Sequence, residues 1–336
     1  MEVIFALDEP HYHRFRFGER NVFHGVAVAT GDSPVESLRV GNVTAPVEGA
    51  SPELAFLPYA NADRCRYRVE VEVVDTKPID IVARLASGRE IQLFRYDVPF
   101  ALENQARMQA ISTCVDATAT PSAELIAATQ GIPNLQSYRD SIVSGLFSMT
   151  AILGSDLRSV LDIGCGTGRL LIGWHCDDPT RSLAGVDIDA DQIRWNREHL
   201  AGVADWRVGP LEPPLDFPDA SFDLVQLISV FTHLPLDLQR RWITEVRRVL
   251  KPGGTLLMSL HGDLHANAYL TGEQRQRYES DGYAEIATEK PGAREYATFH
   301  KLDFARELFA DFSEMTLTPL PSLFPIASVQ NLYRVR

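Results

Sequence analysis

Cysteine is scarce in this 336-residue chain, which contains only Cys65, Cys114, Cys165 and Cys176. The four residues are far apart in the sequence, and no pair shows the Cys-x-x-Cys spacing of structural zinc sites. The sequence therefore predicts neither a disulfide framework nor a zinc site. A reducing cytoplasm is the simplest location for such a protein.

The chain also lacks an excess of basic residues, because 32 lysines and arginines stand against 45 aspartates and glutamates, for a formal net charge of −13. This acidity disfavours nucleic acid or an anionic membrane as a partner, since such binding depends on clustered basic side chains. The uncharged, apolar-leaning stretch at residues 141–155 is shorter than the ~18–20 residues that span a bilayer. Residues 1–8 lack a basic segment followed by an apolar run, so we expect no signal peptide.

The first hundred residues show the alternation of polar and apolar side chains that is typical of β-strands with one face in water. Tyr67, Val69, Val71 and Val73 alternate with charged residues in this way. Further strands are predicted at residues 2–7, 13–17, 22–29, 37–40, 79–85 and 90–94. Short strands in this number indicate a small all-β sandwich domain over residues 1–100.

Helical spacing of apolar residues replaces this alternation over residues 101–155, which we interpret as a helical connector. Beyond it, strands and helices take turns. Strands are predicted at 159–163, 183–188, 206–208, 222–227 and 255–260, and helices at 167–174, 190–200 and 236–250. This order predicts an α/β domain with a mostly parallel sheet over residues 156–336. Two last strands, 314–320 and 328–335, fit an antiparallel pair at the sheet edge.

A glycine-rich loop follows the first strand of the predicted sheet. Residues 160–169 read VLDIGCGTGR, so that an apolar strand runs into Gly164, Gly166 and Gly168 and then into a helix. Glycines at this place let the backbone turn sharply and let a ligand approach the main chain. Asp187 ends the next strand, where a carboxylate can accept both hydroxyls of a ribose. The sequence therefore predicts a nucleoside-containing cofactor at the carboxyl edge of the sheet.

Other landmarks distinguish this loop from that of a dinucleotide-binding enzyme. Arg169 occupies the position at which a dinucleotide loop has Gly or Ala, which disfavours a nicotinamide oxidoreductase. Downstream, residues 218–225 read PDASFDLV and residues 247–254 read RRVLKPGG. This ordered set resembles the class I S-adenosylmethionine-dependent methyltransferases over about residues 135–336. The resemblance implies a Rossmann-like seven-stranded sheet with an antiparallel C-terminal strand. It also implies S-adenosylmethionine as cofactor and S-adenosylhomocysteine as product.

The same resemblance implies cofactor-binding roles for individual residues. The loop of residues 164–168 would hold the methionine part, Asp187 would bind the ribose, and Leu211 and Glu212 would flank the adenine. The other cofactor-binding candidates are Tyr138, Arg139, Asp162, Cys165, Arg169, Ile188, Ser229 and Phe231.

The chain departs from the family pattern at the predicted adenine site. Many members place an acid directly after the glycine of the third strand, whereas here Pro210 follows Gly209. Apolar packing and backbone hydrogen bonds could then hold the adenine, with Glu212 or Asp216 as substitutes for the missing acid.

Several candidates also have a structural interpretation. Arg169 either bonds the methionine carboxylate or covers the helix start, and a solvated helix start would explain Tyr138 and Arg139. Cys165 fits a small loop residue better than a nucleophile, because no base is adjacent in sequence. The alternating Asp187 and Asp189 could hold a divalent metal, but ribose binding by Asp187 is favoured on this fold, so no metal site is predicted.

A narrower likeness concerns the methyl acceptor. Residues 209–214, 228–235 (ISVFTHLP) and 259–262 (SLHG) resemble a bacterial subgroup associated with the modification of surface glycans and other glycosides. The β-rich amino-terminal segment also resembles modules that accompany glycan-assembly enzymes. The likeness implies O-methylation of a sugar hydroxyl on a glycan, a glycolipid or a small glycoside.

A hydroxyl acceptor needs a base whose pKa lies near the working pH, and histidine meets that need. His233 follows the fourth strand and His261 the fifth, so both are predicted at the carboxyl edge. Asp263 could orient His261 or hold a substrate hydroxyl. A structural role for His233 stays open, and His300 could reach the site from the lid-like segment 264–299.

Two other functions also stay open. The acceptor could be an amine, a carboxylate or a carbon atom of a small metabolite. Alternatively, the β-sandwich could recognise a carbohydrate or a partner protein while the second domain holds the cofactor without turnover. The β-sandwich could equally pair two subunits into a homodimer.

Overall fold

The computed structural model describes residues 3–9, 14–50, 64–130, 133–154, 156–287, 290–293, 296–318 and 331–336. These residues belong to two compact units. The described parts of the first unit lie within Met1–Asp116 and Arg139–Ser144. The second unit contains Ala117–Tyr138, Gly145–Leu320 and Val329–Arg336. None of the helices in the described part of the chain is both long and apolar enough to cross a bilayer.

The first unit is built on antiparallel sheets, as predicted. Its strands are β1 (Val3–Glu9), β2 (Arg20–Ala29), β3 (Val35–Val40), β4 (Val43–Pro46), β5 (Arg66–Glu72), β6 (Ile79–Leu85) and β7 (Glu90–Tyr96). Among the described residues, β1, β2 and β5 form one sheet in that order, and β4, β3, β6 and β7 form the other. Phe23, Leu38 and Ile81 are completely buried in one hydrophobic core that both sheets share.

Two details of this unit differ from the predictions. Residues 14–17 form no strand, and β4 was not predicted. Both segments are short, and exposed residues dominate β4, so the alternation that marks a half-buried strand is missing there.

The cysteines also differ from expectation. Cys65 and Cys165 are buried and are not part of a disulfide, whereas Cys114 and Cys176 are disulfide-bonded. The sequence predicts no disulfide framework, and the structure nevertheless contains these two disulfide-bonded cysteines, because spacing along the sequence does not tell which thiols oxidise. The argument for a reducing cytoplasm loses this support.

The second unit contains the predicted α/β sheet. Its strands are β8 (Ser159–Ile163), β9 (Ser182–Asp187), β10 (Asp205–Val208), β11 (Phe222–Leu227), β12 (Leu250–Leu260), β15 (Met315–Thr318) and β16 (Asn331–Val335). In the described part of the chain these seven strands lie in the order β10-β9-β8-β11-β12-β16-β15. Strands β8 to β12 pair in parallel, and β16 pairs antiparallel with both β12 and β15. The Rossmann-like fold and the antiparallel last pair are thus confirmed.

The remaining elements are helices and one hairpin. The helices are α1 (Val98–Ala117), α2 (Ala123–Gln130), α3 (Leu135–Leu153), α4 (Arg169–Asp177), α5 (Ala190–His199), α6 (Leu236–Val249), α7 (Asp263–Tyr269), α8 (Gly272–Asp281) and α9 (Leu302–Leu308). Strands β13 (Tyr283–Ala287) and β14 (Tyr296–His300) form a separate antiparallel hairpin. A 3-10 turn, Phe231–His233, lies between β11 and α6.

The order of the strands determines where a ligand can bind. The chain runs outward from β8 to β9 and β10, then returns to place β11 on the other side of β8. Open α/β sheets bind ligands at such a reversal, outside the carboxyl ends of the strands. The loop after β8, the end of β9 and the turn after β11 all lie at this edge.

Candidate active site

The glycine loop after β8 is held against the end of β9 by its own backbone. Gly164 donates its N–H to the carbonyl of Val186 at 2.7 Å, and Gly166 donates to the Oδ2 atom of Asp187 at 2.8 Å. Gly164, Gly166 and Gly168 all have φ between +55° and +76°, a region that favours glycine. The sequence folds this way because only glycine adopts these angles without strain.

Neighbouring side chains approach this loop so closely that no larger residue fits. A methyl group added to Gly164 would collide with Val230, and one added to Gly168 would collide with Trp206. At Gly166 the added atom would lie 3.0 Å from the side-chain oxygens of Thr129 and Gln192. The protein's own side chains therefore occupy the space beside these three glycines, so packing as well as backbone geometry requires glycine here.

Asp187 lies at the tip of β9 and accepts two backbone N–H groups. Its Oδ2 atom binds Gly166, and its Oδ1 atom binds the N–H of Asp189 at 2.9 Å. A carboxylate has about four lone-pair positions, so Asp187 can accept a further donor beside these two. Burial raises the pKa of Asp187, against the effect of these two hydrogen bonds. Asp189 caps α5 by accepting the N–H of Asp191 and of Gln192.

An apolar surface lies beside this carboxylate. Ile188 and Val208 are 48% and 47% exposed at the carboxyl ends of β9 and β10. Leu211 is half-buried, and its carbonyl accepts the indole N–H of Trp242 at 3.0 Å. The Cβ direction of Gly292 points at both Ile188 and Leu211, with each side chain 3.1 Å away. These groups offer an apolar place for a flat ring.

The carboxylates considered for adenine point elsewhere. Glu212 is exposed and forms an ion pair with Arg241 of α6 at 2.7 Å. The side chain of Asp216 is fully exposed, and its backbone carbonyl binds Arg207. Among the described residues, no hydrogen bond or ion pair joins either carboxylate to Ile188 or Leu211.

Behind the glycine loop lies a cluster of buried polar groups. Burial raises the pKa of Asp162 to about 7 and that of Tyr138 to about 12, and it lowers the pKa of Arg169. The hydroxyl of Tyr138 lies 2.9 Å from that of Thr167 in the loop. Arg139 instead pairs with Asp116 at 3.3 Å. The structure thus brings Asp162, Arg169 and Tyr138 to the loop and directs Arg139 to another carboxylate.

Three other predicted cofactor residues have clear local roles. Cys165 is buried, and burial raises the pKa of its thiol well above the usual range, so the thiol stays protonated at neutral pH. Ser229 has φ of 62° and donates its N–H to the hydroxyl of Ser259 at 2.8 Å. The ring of Phe231 is completely buried in the core and contacts Phe309 edge-on.

His233 is the last residue of the 3-10 turn and is half-buried. Its Nδ1 atom lies 2.7 Å from the carbonyl oxygen of Tyr296. A carbonyl only accepts hydrogen bonds, so Nδ1 carries the proton and Nε2 carries the lone pair. This is the tautomer in which a histidine can act as a base through Nε2.

His261 lies at the end of β12, with its ring 6.4 Å from that of His233. It stacks on His265 at 4.4 Å and lies against Phe299 at 5.4 Å. Burial, together with His265, His233 and His300, lowers the pKa of His261 well below its usual value. At neutral pH the ring of His261 is therefore uncharged.

The structure places Asp263 and His300 differently from the predicted arrangement. Asp263 accepts the hydroxyl of Tyr278 at 2.7 Å, an interaction that ties the start of α7 to α8. His300 is completely buried, and its Nε2 atom lies 3.0 Å from Oε1 of Gln239. Burial lowers its pKa to about 3. His300 is thus part of the interior and does not reach the site from a lid.

Three residues at the site were not identified from the sequence. Thr129 of α2 lies 3.0 Å from the hydroxyl of Thr167, His265 stacks on His261, and Gln239 of α6 binds the turn that carries His233. A buried glutamine among the apolar positions of α6 is the one signal that could have been noticed, since buried amides need partners.

Comparison with known proteins gives a consistent picture. Residues 161–258 match the methyltransferase domain family. A malonyl-[acyl-carrier protein] O-methyltransferase from Hahella chejuensis is 32% identical over 134 residues, 35% of this chain and 47% of that protein. A 27-O-demethylrifamycin SV methyltransferase from Amycolatopsis mediterranei is 33% identical over 105 residues, 30% of this chain and 37% of that protein. The chain thus spans less than half the length of these relatives.

Solved structures resemble this chain only weakly. A Burkholderia thailandensis 1,6-didemethyltoxoflavin-N1-methyltransferase is 17% identical with a TM-score of 0.41, over 66% of this chain and 92% of that one. One conclusion follows from the sheet order, the glycine loop, the carboxylate at the tip of β9 and the family match. Residues 161–258 carry a methyltransferase domain, whose cofactor is S-adenosylmethionine.

Proposed function

We propose that this protein transfers a methyl group from S-adenosylmethionine to a sugar hydroxyl of a glycan, a glycolipid or a small glycoside. The observation that carries the proposal is the hydrogen bond from Nδ1 of His233 to Tyr296, which leaves the lone pair on Nε2. An alcohol must lose its proton as it attacks, and a fixed neutral imidazole can take that proton. The names of the relatives from Hahella and Amycolatopsis also describe methyl transfer to oxygen.

The residues of the crevice fit the cofactor. Asp187 has lone pairs left for the ribose hydroxyls, and Ile188, Val208 and Leu211 offer apolar surface for the adenine. The buried guanidinium of Arg169 provides a positive charge behind the glycine loop for the methionine carboxylate. When bound, S-adenosylmethionine supplies a methyl group on a positively charged sulfur, which is the electrophile of the reaction.

The protein's own contribution is alignment and proton transfer. With S-adenosylmethionine bound, the glycine loop would hold the methionine part and the turn after β11 would orient the acceptor, so that the acceptor oxygen attacks the methyl carbon as the methyl–sulfur bond breaks. His233 takes the hydroxyl proton on Nε2 as the oxygen–carbon bond forms. His261, held uncharged by burial, offers a hydrogen bond to a second hydroxyl of the sugar, a group that sugars carry next to the reacting one.

The likeness of residues 228–235 and 259–262 to a glycan-associated subgroup supports a sugar as the acceptor. A carboxylate or amine acceptor is the second candidate, and the name of the Hahella relative favours a carboxylate, because a malonyl group carries one. The two candidates differ in chemistry: a carboxylate has no proton to lose at neutral pH, so its methylation does not depend on a base.

The test uses labelled S-adenosylmethionine with a panel of glycosides and, separately, of small carboxylates and amines. We expect label on a sugar hydroxyl, and we expect His233→Gln to lower kcat by about 10²–10⁴-fold with little change in cofactor affinity. The exposed His199 of α5 gives the control His199→Gln, which should retain full activity. Label on none of the hydroxyls, or unchanged kcat in His233→Gln, would contradict the proposal.

A further inference from the structure

The turn that carries His233 is tied down from several directions. The carbonyl of His233 accepts the N–H of Gly292 at 2.8 Å, and its ring binds the carbonyl of Tyr296 at 2.7 Å. Both partners belong to the segment that leads into and begins β14. The direction in which Nε2 points therefore depends on how the turn and β14 are held relative to each other.

Gln239 is the residue that joins these two parts. It lies on α6, is completely buried, and donates from Nε2 to the carbonyls of Phe231 at 3.0 Å and Leu234 at 2.8 Å. These two carbonyls flank His233 in the sequence. Because both can only accept, the amide nitrogen must face the turn and the amide oxygen must face away from it.

The amide oxygen of Gln239 is bound in turn by β14. His300 donates from Nε2 at 3.0 Å, and its ring is neutral because burial lowers its pKa to about 3. Thr298, also on β14, donates its hydroxyl to the carbonyl of Phe231 at 2.9 Å. Both side chains are completely buried, so water cannot replace either hydrogen bond.

We propose that Gln239, with Thr298 and His300, is a positioning residue for His233. The three side chains clamp the 3-10 turn onto β14 so that Nδ1 of His233 donates its proton to the carbonyl of Tyr296 and Nε2 carries the lone pair. The proposal rests on the role of His233 as the base of the reaction. It gives Gln239 a part in catalysis although the side chain touches neither cofactor nor acceptor.

An apolar residue could not replace Gln239 in this arrangement. Leucine would fill a similar volume on the buried face of α6, but the carbonyl of Leu234 would lose its amide donor, and the carbonyl of Phe231 would lose one of its donors and keep that of Thr298. A buried acceptor that loses its donor is unfavourable, so the turn would shift to find a new one. Such a shift breaks the geometry that the bond between His233 and Tyr296 requires.

The experiment measures the tautomer of His233 by NMR of the full-length protein with ¹⁵N-labelled histidine, and His233→Gln identifies the signal. In the unaltered chain we expect the proton on Nδ1. In Gln239→Leu we expect the signal to change toward the Nε2-protonated form that free histidine prefers. Where a sugar acceptor is known, kcat should fall at least tenfold while the Kd of S-adenosylhomocysteine stays within twofold.

The control is Glu245→Gln on the same helix. Glu245 is also buried and also holds a loop, through the N–H of Leu215 at 2.7 Å, but it does not touch the turn. This variant should leave the His233 signal unchanged. If Gln239→Leu fails to fold, Thr298→Val removes one donor to Phe231 with little change in shape and should shift the tautomer in the same direction.

An unchanged His233 tautomer in a folded Gln239→Leu protein would overturn the inference, and so would an equal change in Glu245→Gln. The tautomer is measured without any acceptor. A failure to methylate sugars would therefore count against the proposed function alone, and a failed tautomer shift against the clamp alone.

Discussion

The carboxylate of Asp187 has two tasks at once. It closes the glycine loop by accepting the N–H of Gly166, and it holds the chain beyond β9 by accepting the N–H of Asp189. We propose that the same carboxylate accepts the hydroxyls of the cofactor's ribose. A change at this residue should therefore affect both the shape of the loop and its affinity for the cofactor.

Asp187→Asn tests this double role. The amide keeps one acceptor oxygen but turns an NH2 group toward a backbone N–H that needs an acceptor. Hydrogen bonds to a charged group contribute about 1.5–3 kcal/mol each, so the Kd of S-adenosylhomocysteine should rise about 10–100-fold in calorimetry. Asp189→Asn is the control, since asparagine caps a helix as well as aspartate does. Equal affinity in Asp187→Asn and the unaltered protein would contradict this role.

Residues of the site differ in how well the sequence reveals them. The glycine loop and Asp187 are recognisable because local backbone geometry dictates glycine, and because an acid at the tip of the second strand has a fixed place in this fold. Gln239 and His265 are not recognisable in that way. Their importance depends on which distant segments pack against them, and only the folded chain brings those segments together.

At the scale of elements, the starts of three strands are joined by one side chain. Asp223 of β11 accepts the N–H groups of Arg158 and Ser159 at 2.9 Å, at the start of β8, and binds Lys251 of β12 at 2.9 Å. Burial pushes the pKa of Asp223 up, but the hydrogen bonds from Lys251, Arg158 and Ser159 outweigh it and hold the pKa at about 2.

We expect Asp223→Asn to lower the free energy of unfolding by about 1–2 kcal/mol, because one amide oxygen cannot serve three donors and the charge on Lys251 loses its partner. The folded pKa is depressed, so this stabilisation is present above about pH 4 and disappears as the pH falls toward 2. Urea unfolding at pH 7 and pH 3 measures both effects. Asp219→Asn, which breaks an exposed pair with Arg248, should change stability by less than about 0.5 kcal/mol. A similar loss in the two variants would refute the argument.

Elements with a clear apolar run were predicted well, and elements that depend on contacts with distant segments were not. Strands β8 and β11 begin and end as predicted, since each is a largely apolar run. The hairpin of β13 and β14 was seen only as a lid-like segment. Its strands have five residues each, and β14 is buried against the turn that carries His233, so its stability comes from tertiary contacts that no local pattern shows.

At the scale of the whole molecule, the two units can be followed separately. The four tryptophans, Trp174, Trp195, Trp206 and Trp242, all lie in the second unit, so tryptophan fluorescence reports the unfolding of the methyltransferase domain alone. This separation matters because a chain of two units does not have a single free energy of unfolding. Stability as a function of pH can then be assigned to the domain that contains the site.

Buried histidines and buried aspartates make opposite contributions to this pH dependence. Burial lowers the pKa of His265 to about 4 and that of His300 to about 3, and it also lowers that of His261. These three rings take up protons below about pH 6.5 only when the domain unfolds. Burial raises the pKa of Asp162 to about 7 and also raises that of Asp187, so these carboxyls release protons on unfolding.

Between pH 5 and 6, the three histidines therefore take up more protons on unfolding than the two aspartates release. The unfolded state then binds about one to two more protons than the folded state. The free energy of unfolding should rise with pH by roughly 1.4–2.7 kcal/mol per pH unit in this range. Urea unfolding followed by tryptophan fluorescence at pH 5, 5.5 and 6 measures the slope. His300→Phe should reduce the number of protons bound on unfolding by about one, which makes the slope smaller. His199→Phe, at an exposed histidine, should leave the slope unchanged. A flat or falling curve would mean that the buried carboxyls dominate, and that burial does not keep these histidines neutral.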